Sequence, residues 1–123
     1  MLLVPEINLI PQLIKVFSER FGGNIGVYHS KQTPIQKYKT WQASANGNIK
    51  IIIGTRSSVM LPFKKIGSII VDEEHDESYK QNEGFRYSAR DLAIKRAQVE
   101  NVPIILGSAT PSITTIDLSL IHI

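Results

Sequence analysis

Cysteine is absent from the 123 residues, which removes disulfides and thiolate metal sites from consideration. That absence fits a cytoplasmic chain. Long apolar runs are lacking as well: nothing approaches the roughly 20 residues of a membrane span, and the start lacks the basic-then-apolar build of a secretory signal. No repeat, low-complexity tract or linker interrupts the chain, so it holds one domain at most. Neither charge sign dominates strongly, and a net charge of +3 permits a polyanionic partner without demanding one. What is present, 42% hydrophobic and 20% charged residues, is the composition of an ordinary globular protein with enough apolar material for a core.

Short apolar runs alternate with helix-like segments. Leu2 to Val4 is closed by Pro5, and Asn8 can cap a helix in which Ile10, Leu13, Ile14, Phe17 and Phe21 recur at helical spacing. Gly22-Gly23 stops it, and Ile25 to Tyr28 reads as a strand. Thr33-Pro34 pairs an N-cap with a first-turn proline, opening a helix to Ala45 in which Trp41 takes an inward position. Ile49 to Ile53, Ser68 to Val71 and Pro103 to Leu106 are further strands. Ser88 with Asp91 resembles a capping box for a helix running to about Glu100. Continuously apolar strands separated by helices predict an α/β fold, with a mostly parallel sheet and helices on both faces.

In such sheets the chemistry gathers beyond the carboxyl ends of the strands. Three polar clusters should share that edge. Asp72-Glu73-Glu74-His75 follows the fourth strand. A carboxylate there suits Mg²⁺ held through its water shell, and its neighbour can activate water against a γ-phosphate; a solvated acidic turn is the plain alternative. Gly54-Thr55-Arg56-Ser57-Ser58 can grip a phosphate or serve as an ordinary loop. Gly107-Ser108-Ala109-Thr110 offers hydroxyls that either cap a helix or relay nucleotide state through His75. The segment Tyr79 to Tyr87 joins three aromatics to two cations, a composition that suits stacking on bases at about 1–3 kcal/mol each; the alternative folds Phe85 and Tyr87 onto the core. His29 reads as a surface or hydrogen-bonded residue, and Lys64-Lys65 as a solvated turn.

In this order the clusters resemble the motifs of superfamily 2 helicases: Val4-Pro5-Glu6-Ile7 with Pro11-Gln12 looks like motif Ia, Gly54-Thr55-Arg56 like Ib, Asp72-Glu73-Glu74-His75 like II and Gly107-Ser108-Ala109-Thr110 like III. The run from Asp72 through Gln81 to Tyr87 and Ala89-Arg90-Asp91-Leu92-Ala93 is similar to the primosomal replication-restart helicases. The resemblance implies a RecA-like lobe of an ATP- and Mg²⁺-dependent 3′-to-5′ DNA translocase, with single-stranded and forked DNA and primosome proteins as partners. It places Mg²⁺ on Asp72 and the attacking water on Glu73. Coupling falls to His75, Ser108 and Thr110. DNA contacts fall to Thr55, Arg56, Tyr79, Lys80, Phe85, Arg86 and Tyr87. Phe85 stands where that family often has tryptophan, which preserves stacking.

Three of the family's features are missing. No Gly-x-x-x-x-Gly-Lys-[Ser/Thr] loop occurs, the zinc-binding cysteines have no counterpart, and there is no second lobe with its arginine finger. The phosphate loop of that family lies just upstream of where this chain starts, so the start reads as cut and residues 1–117 as a partial lobe. Leu118 to Ile123 is what the DNA string CTGTCTCTTATACACATC encodes, the mosaic end of a transposase used for sequencing libraries. Residues 118–123 therefore read as an adapter-derived tail. The fragment alone is expected to be inactive. Another superfamily 2 translocase, or an inert single-stranded-DNA-binding relic, is the alternative.

Overall fold

A computed structural model describes residues 1–81, 87–107 and the paired backbone at 120–121. Among them the five apolar runs become parallel strands: β1 (Leu2–Leu3), β2 (Ile25–Tyr28), β3 (Ile51–Gly54), β4 (Ile69–Val71) and, later in the chain, β7 (Ile104–Leu106). Three short strands complete the set. β5 (Lys80–Gln81) and β6 (Tyr87–Ser88) pair antiparallel as a separate ribbon, and β8 (Leu120–Ile121) lies antiparallel on β7. The main sheet runs β2-β3-β1-β4-β7-β8, which places the first strand at its centre. Leu2 sits between Ile53 and Ile70, and Leu3 between Gly54 and Val71.

The pleat sends alternate side chains to opposite faces, and both faces are covered. Leu2, Val4 and Ile53 pack with Ile10 and with Leu13, Ile14 and Phe17 of helix α1 (Ile10–Phe21). Leu3, Ile69, Val71, Ile104 and Leu106 pack on the other side against helix α3 (Ala89–Glu100). That helix presents Ala89, Ala93 and Ala97 to the sheet. Their spacing of four keeps them in one line, and the absence of bulk beyond Cβ lets helix and sheet approach closely. Burying a full aliphatic side chain is worth about 1.5–3 kcal/mol, so these two layers dominate the fold's stability.

Helix α2 (Pro34–Ala45) begins as its sequence signals. The Thr33 hydroxyl accepts from the Gln36 backbone N–H, and the Gln36 side chain accepts from Thr33 N–H, a reciprocal capping box. The helix guards the outer side of β2: Val27 O accepts from Gln32 Nε2 at 2.9 Å and from the Thr40 hydroxyl at 3.2 Å. Side chains thus stand where another strand would otherwise pair.

Two local expectations are corrected. Trp41 is not core: the helix packs through Thr40 and Ser44, leaving Trp41 44% exposed. Asn8 does not cap α1, because residues Ile7–Leu9 form a 3₁₀ turn and no side chain caps the helix that follows. Of the tail set aside above, Leu120 and Ile121 occupy the open side of β7. A ladder needs only main-chain groups, which any non-proline residue supplies.

Candidate functional site

Because the strands run parallel, Gly54, Val71 and Leu106 end at one edge of the sheet. The acidic turn leaves β4 there under close backbone control. Asp72 N–H donates to Leu3 O at 2.9 Å and Glu74 N–H to Gly107 O at 2.8 Å; Gly107 N–H returns to Val71 O at 2.7 Å. These bonds splice the turn to the ends of both neighbouring strands. Glu73 lies in the left-handed region with φ of 54°. A non-glycine residue there costs about 1–2 kcal/mol, a strain that persists only where surrounding bonds impose it.

The three carboxylates have separate fates. Glu74 is largely buried and takes Arg90 Nε at 3.0 Å, fastening the turn to α3. Asp72 and Glu73 accept no hydrogen bond or ion pair from the described residues and stay half-buried at the strand end. Further along, Asp76 caps the next turn by accepting from Ser78 N–H at 2.8 Å, and that bond, followed by the Ser78 hydroxyl, holds its carboxyl below its ordinary pKa. The His75 side chain projects into solvent at 81% exposure. Ser108 and Thr110, expected to work with it, lie outside the described residues.

Tyr79 corrects the sequence reading. Instead of standing open to stack on a base, it is buried at 1% exposure beneath the acidic turn. Its hydroxyl donates to Leu3 O at 3.0 Å and to Asp72 O. Burial first, then the nearby Asp72 carboxylate, push its phenol well above the ordinary range. An aromatic ring close in sequence to a buried strand is drawn under it, where its polar tip still finds carbonyl partners.

Arg56 also has a job its surroundings did not advertise. Its Nη1 donates to Ser78 O at 3.2 Å and Lys80 O at 3.0 Å, tying the 3₁₀ turn Arg56–Met60 to the segment after the acidic turn. Arg56 also lines a groove of about 860 Å³, together with Pro5, Asn8, Lys31, Thr55 and Tyr87, among others. Lys80 pairs with Glu77 at 3.4 Å on the surface. Lys80 and Tyr87 belong to the β5–β6 ribbon; Phe85 and Arg86 lie between them, outside the described residues. His29 directly follows β2. It accepts from Lys31 N–H through Nδ1 at 3.2 Å, and its pKa is lowered by burial, then by Lys37 and Lys31.

Sequence reasoning missed Arg90 as the partner of Glu74, and Arg96, whose Nη1 donates to Val59 O at 2.8 Å between α3 and the Arg56–Met60 turn. It also missed a segregation of charge that simple counting reveals. Eight of the 14 Lys and Arg residues fall within 20–71, where no Asp or Glu occurs; all 11 acidic residues share the remainder.

As for what a metal could use here, no three His, Cys, Asp or Glu side chains converge among the described residues. The free donors at the strand end are the Asp72 and Glu73 carboxylates, an oxygen set that suits Mg²⁺ completed by water and phosphate. No helix among the described residues is long and apolar enough to cross a membrane.

Comparison with known proteins returns one consistent result. The family model described as DEAD/DEAH box helicase matches residues 1–118. The chain is 48% identical over 117 residues to the replication restart protein PriA of Haemophilus influenzae, covering 95% of this chain and 16% of that protein. Against the protein of the same name from Bacillus subtilis the identity is 45% over 111 residues, covering 90% and 14%. For that of Synechocystis it is 49% over 114 residues, covering 92% and 14%. The chain thus spans less than a fifth of the length of these relatives.

Proposed function

The chain belongs to the DEAD/DEAH box helicase family, and on that premise we propose that it is part of the ATPase lobe of a 3′-to-5′ DNA helicase acting in replication restart. Single-stranded and forked DNA are its substrates, primosome proteins its partners, and the cytoplasm its place of action. The observation that carries the reading is the acidic turn spliced by backbone bonds to β1 and β7, with two of its carboxylates unengaged among the described residues. When bound, Mg²⁺ neutralises charge on the β- and γ-phosphate oxygens. Asp72, leaving a buried strand and clamped at both backbone groups, has the fixed direction needed to hold that ion. Glu73, swung aside by its left-handed backbone, is the residue we assign to take the proton of the attacking water.

Thr55, Arg56, Lys80, Phe85, Arg86 and Tyr87 form the proposed DNA-contacting set. Tyr79 is withdrawn from it on account of its burial. The groove along the carboxyl edge supports a backbone-tracking role for Thr55, Arg56 and Lys31. His75, Ser108 and Thr110 keep the proposed coupling role.

The test is ATP hydrolysis by the full-length parent. Single-stranded DNA should stimulate it, and Glu73→Gln should abolish turnover while leaving ATP binding intact. Undiminished turnover in that variant overturns the assignment. The 123-residue chain contains no Gly-x-x-x-x-Gly-Lys-[Ser/Thr] segment, and by itself it should not turn ATP over, because clamping of the phosphates is most of this catalysis.

A further inference from the structure

Helix α2 is built inside out. Its small polar residues Thr40 and Ser44 meet the sheet, while Ile35, Tyr38 and Trp41 are 68%, 59% and 44% exposed. An amphipathic helix ordinarily does the reverse. The spacing of three residues places these side chains along one outward stripe. The Tyr38 hydroxyl accepts from Gln42 Nε2 at 2.7 Å, which lays its ring along the helix surface. Single apolar residues on a surface need no explanation, but an aligned set with a polar opposite face marks an interaction surface.

Charge supplies the partner's sign. At helical pitch Lys37 and Lys39 fall on opposite flanks of the stripe. The helix has no carboxylate, nor does any position from 20 to 71. No described ion pair engages either lysine. We infer that the outward face of α2 docks an acidic segment of a partner protein, one whose apolar residues lie between flanking carboxylates. Its apolar centre covers Ile35, Tyr38 and Trp41, and its carboxylates meet Lys37 and Lys39. A nucleic acid fits less well. Ile35 has no ring to stack on a base, and helical pitch puts Lys37 and Lys39 on opposite flanks instead of along one line of phosphates. The inference stands apart from the ATPase reading, because α2 contributes no residue to the acidic turn or to the groove.

Trp41 is the chain's single tryptophan and therefore its own reporter. The 123-residue chain is titrated at low salt with a short synthetic peptide carrying Glu at its flanks and Leu and Phe at its centre. The same peptide with Lys in place of Glu, and oligo-dT, serve as comparisons. The acidic peptide should shift Trp41 emission to the blue, saturably and less strongly at high salt. Tyr38→Ser, and Lys37→Glu with Lys39→Glu, should each weaken binding about tenfold or more while leaving the circular dichroism unchanged. Absence of a saturable shift, indifference to the charge reversals, or a shift caused by oligo-dT instead overturns the proposal. So does protection of Tyr38 and Trp41 from hydroxyl-radical labelling in the full-length parent alone, because the face is then covered by its own chain.

Discussion

Tyr79 and Glu73 act on the same turn from opposite sides, one by holding it and the other by bending it. Tyr79→Phe keeps the ring in the core and removes only the donor to Leu3 O and Asp72 O. Leu3 O retains Asp72 N–H as a partner, so the loss falls mainly on Asp72 O. We expect a cost of about 1–3 kcal/mol, read by urea denaturation of the chain; an unchanged midpoint would mean that water replaces the hydroxyl. His29 gives a prediction with a direction in pH. Its folded pKa lies below the ordinary histidine value of 6.5, so on acidification the unfolded chain takes up the proton first. Stability should be level above that pH and fall beneath it, and His29→Gln should flatten the fall. At this scale the acidic turn was legible as a turn, because Asp72 to Glu74 are contiguous and follow an apolar strand. The burial of Tyr79 was not, since it depends on Leu3, 76 positions away. The place of Arg56 after β3 was legible, whereas its two carbonyl partners come from a segment the spacing does not bring near.

Among elements, β3 and the 3₁₀ turn after it are joined with no room to spare. A Cβ on Gly54 would stand 2.5 Å from both Ser58 Oγ and Tyr28 O. Rotating Ser58 would forfeit its 2.6 Å bond to Thr55 O and still leave its Cβ 2.6 Å away, and the Tyr28 carbonyl belongs to the backbone. Gly54→Ala should therefore cost about 1–3 kcal/mol. Ser58→Gly added to it should recover only part, as thermal unfolding of the two variants will show. Strands and the starts of α2 and α3 were readable because apolar runs and the caps at Thr33 and Ser88 are local signals, whereas the start of α1 carries no side-chain cap. The orientation of α2 was not readable. Which arc of a helix turns inward depends on what the sheet offers, and here Gln32 and Thr40 are recruited to β2's outer side. A periodicity argument favours the largest residue for the core, and in α2 the competing demand of the Val27 carbonyl prevailed.

Across the whole molecule, the two sides of the sheet end differently. β2 is covered by side chains of its own chain, whereas among the described residues the outer edge of β7 is met by the two-residue β8 alone. Deleting residues 118–123 removes β8 and leaves the outer edge of β7 without that strand. The shortened chain should self-associate at lower concentration than the intact one, as sedimentation would show. The α/β class and the common edge of the acidic and Gly54–Ser58 clusters were legible, because they follow from strand alternation alone. The segregation of charge was legible too, but only by position, since the net value of +3 conceals it. The strand order, with the earliest strand in the middle, has its own consequence during synthesis. Leu2 and Leu3 leave the ribosome well before their partners in β3 and β4, which lie far along the chain. For that interval the nascent chain carries an unpaired apolar segment, and its collapse waits on contacts distant in sequence. The lobe's yield in the cell should therefore depend on the pace of translation between Tyr28 and Val71, and on chaperones that hold an emerging apolar segment.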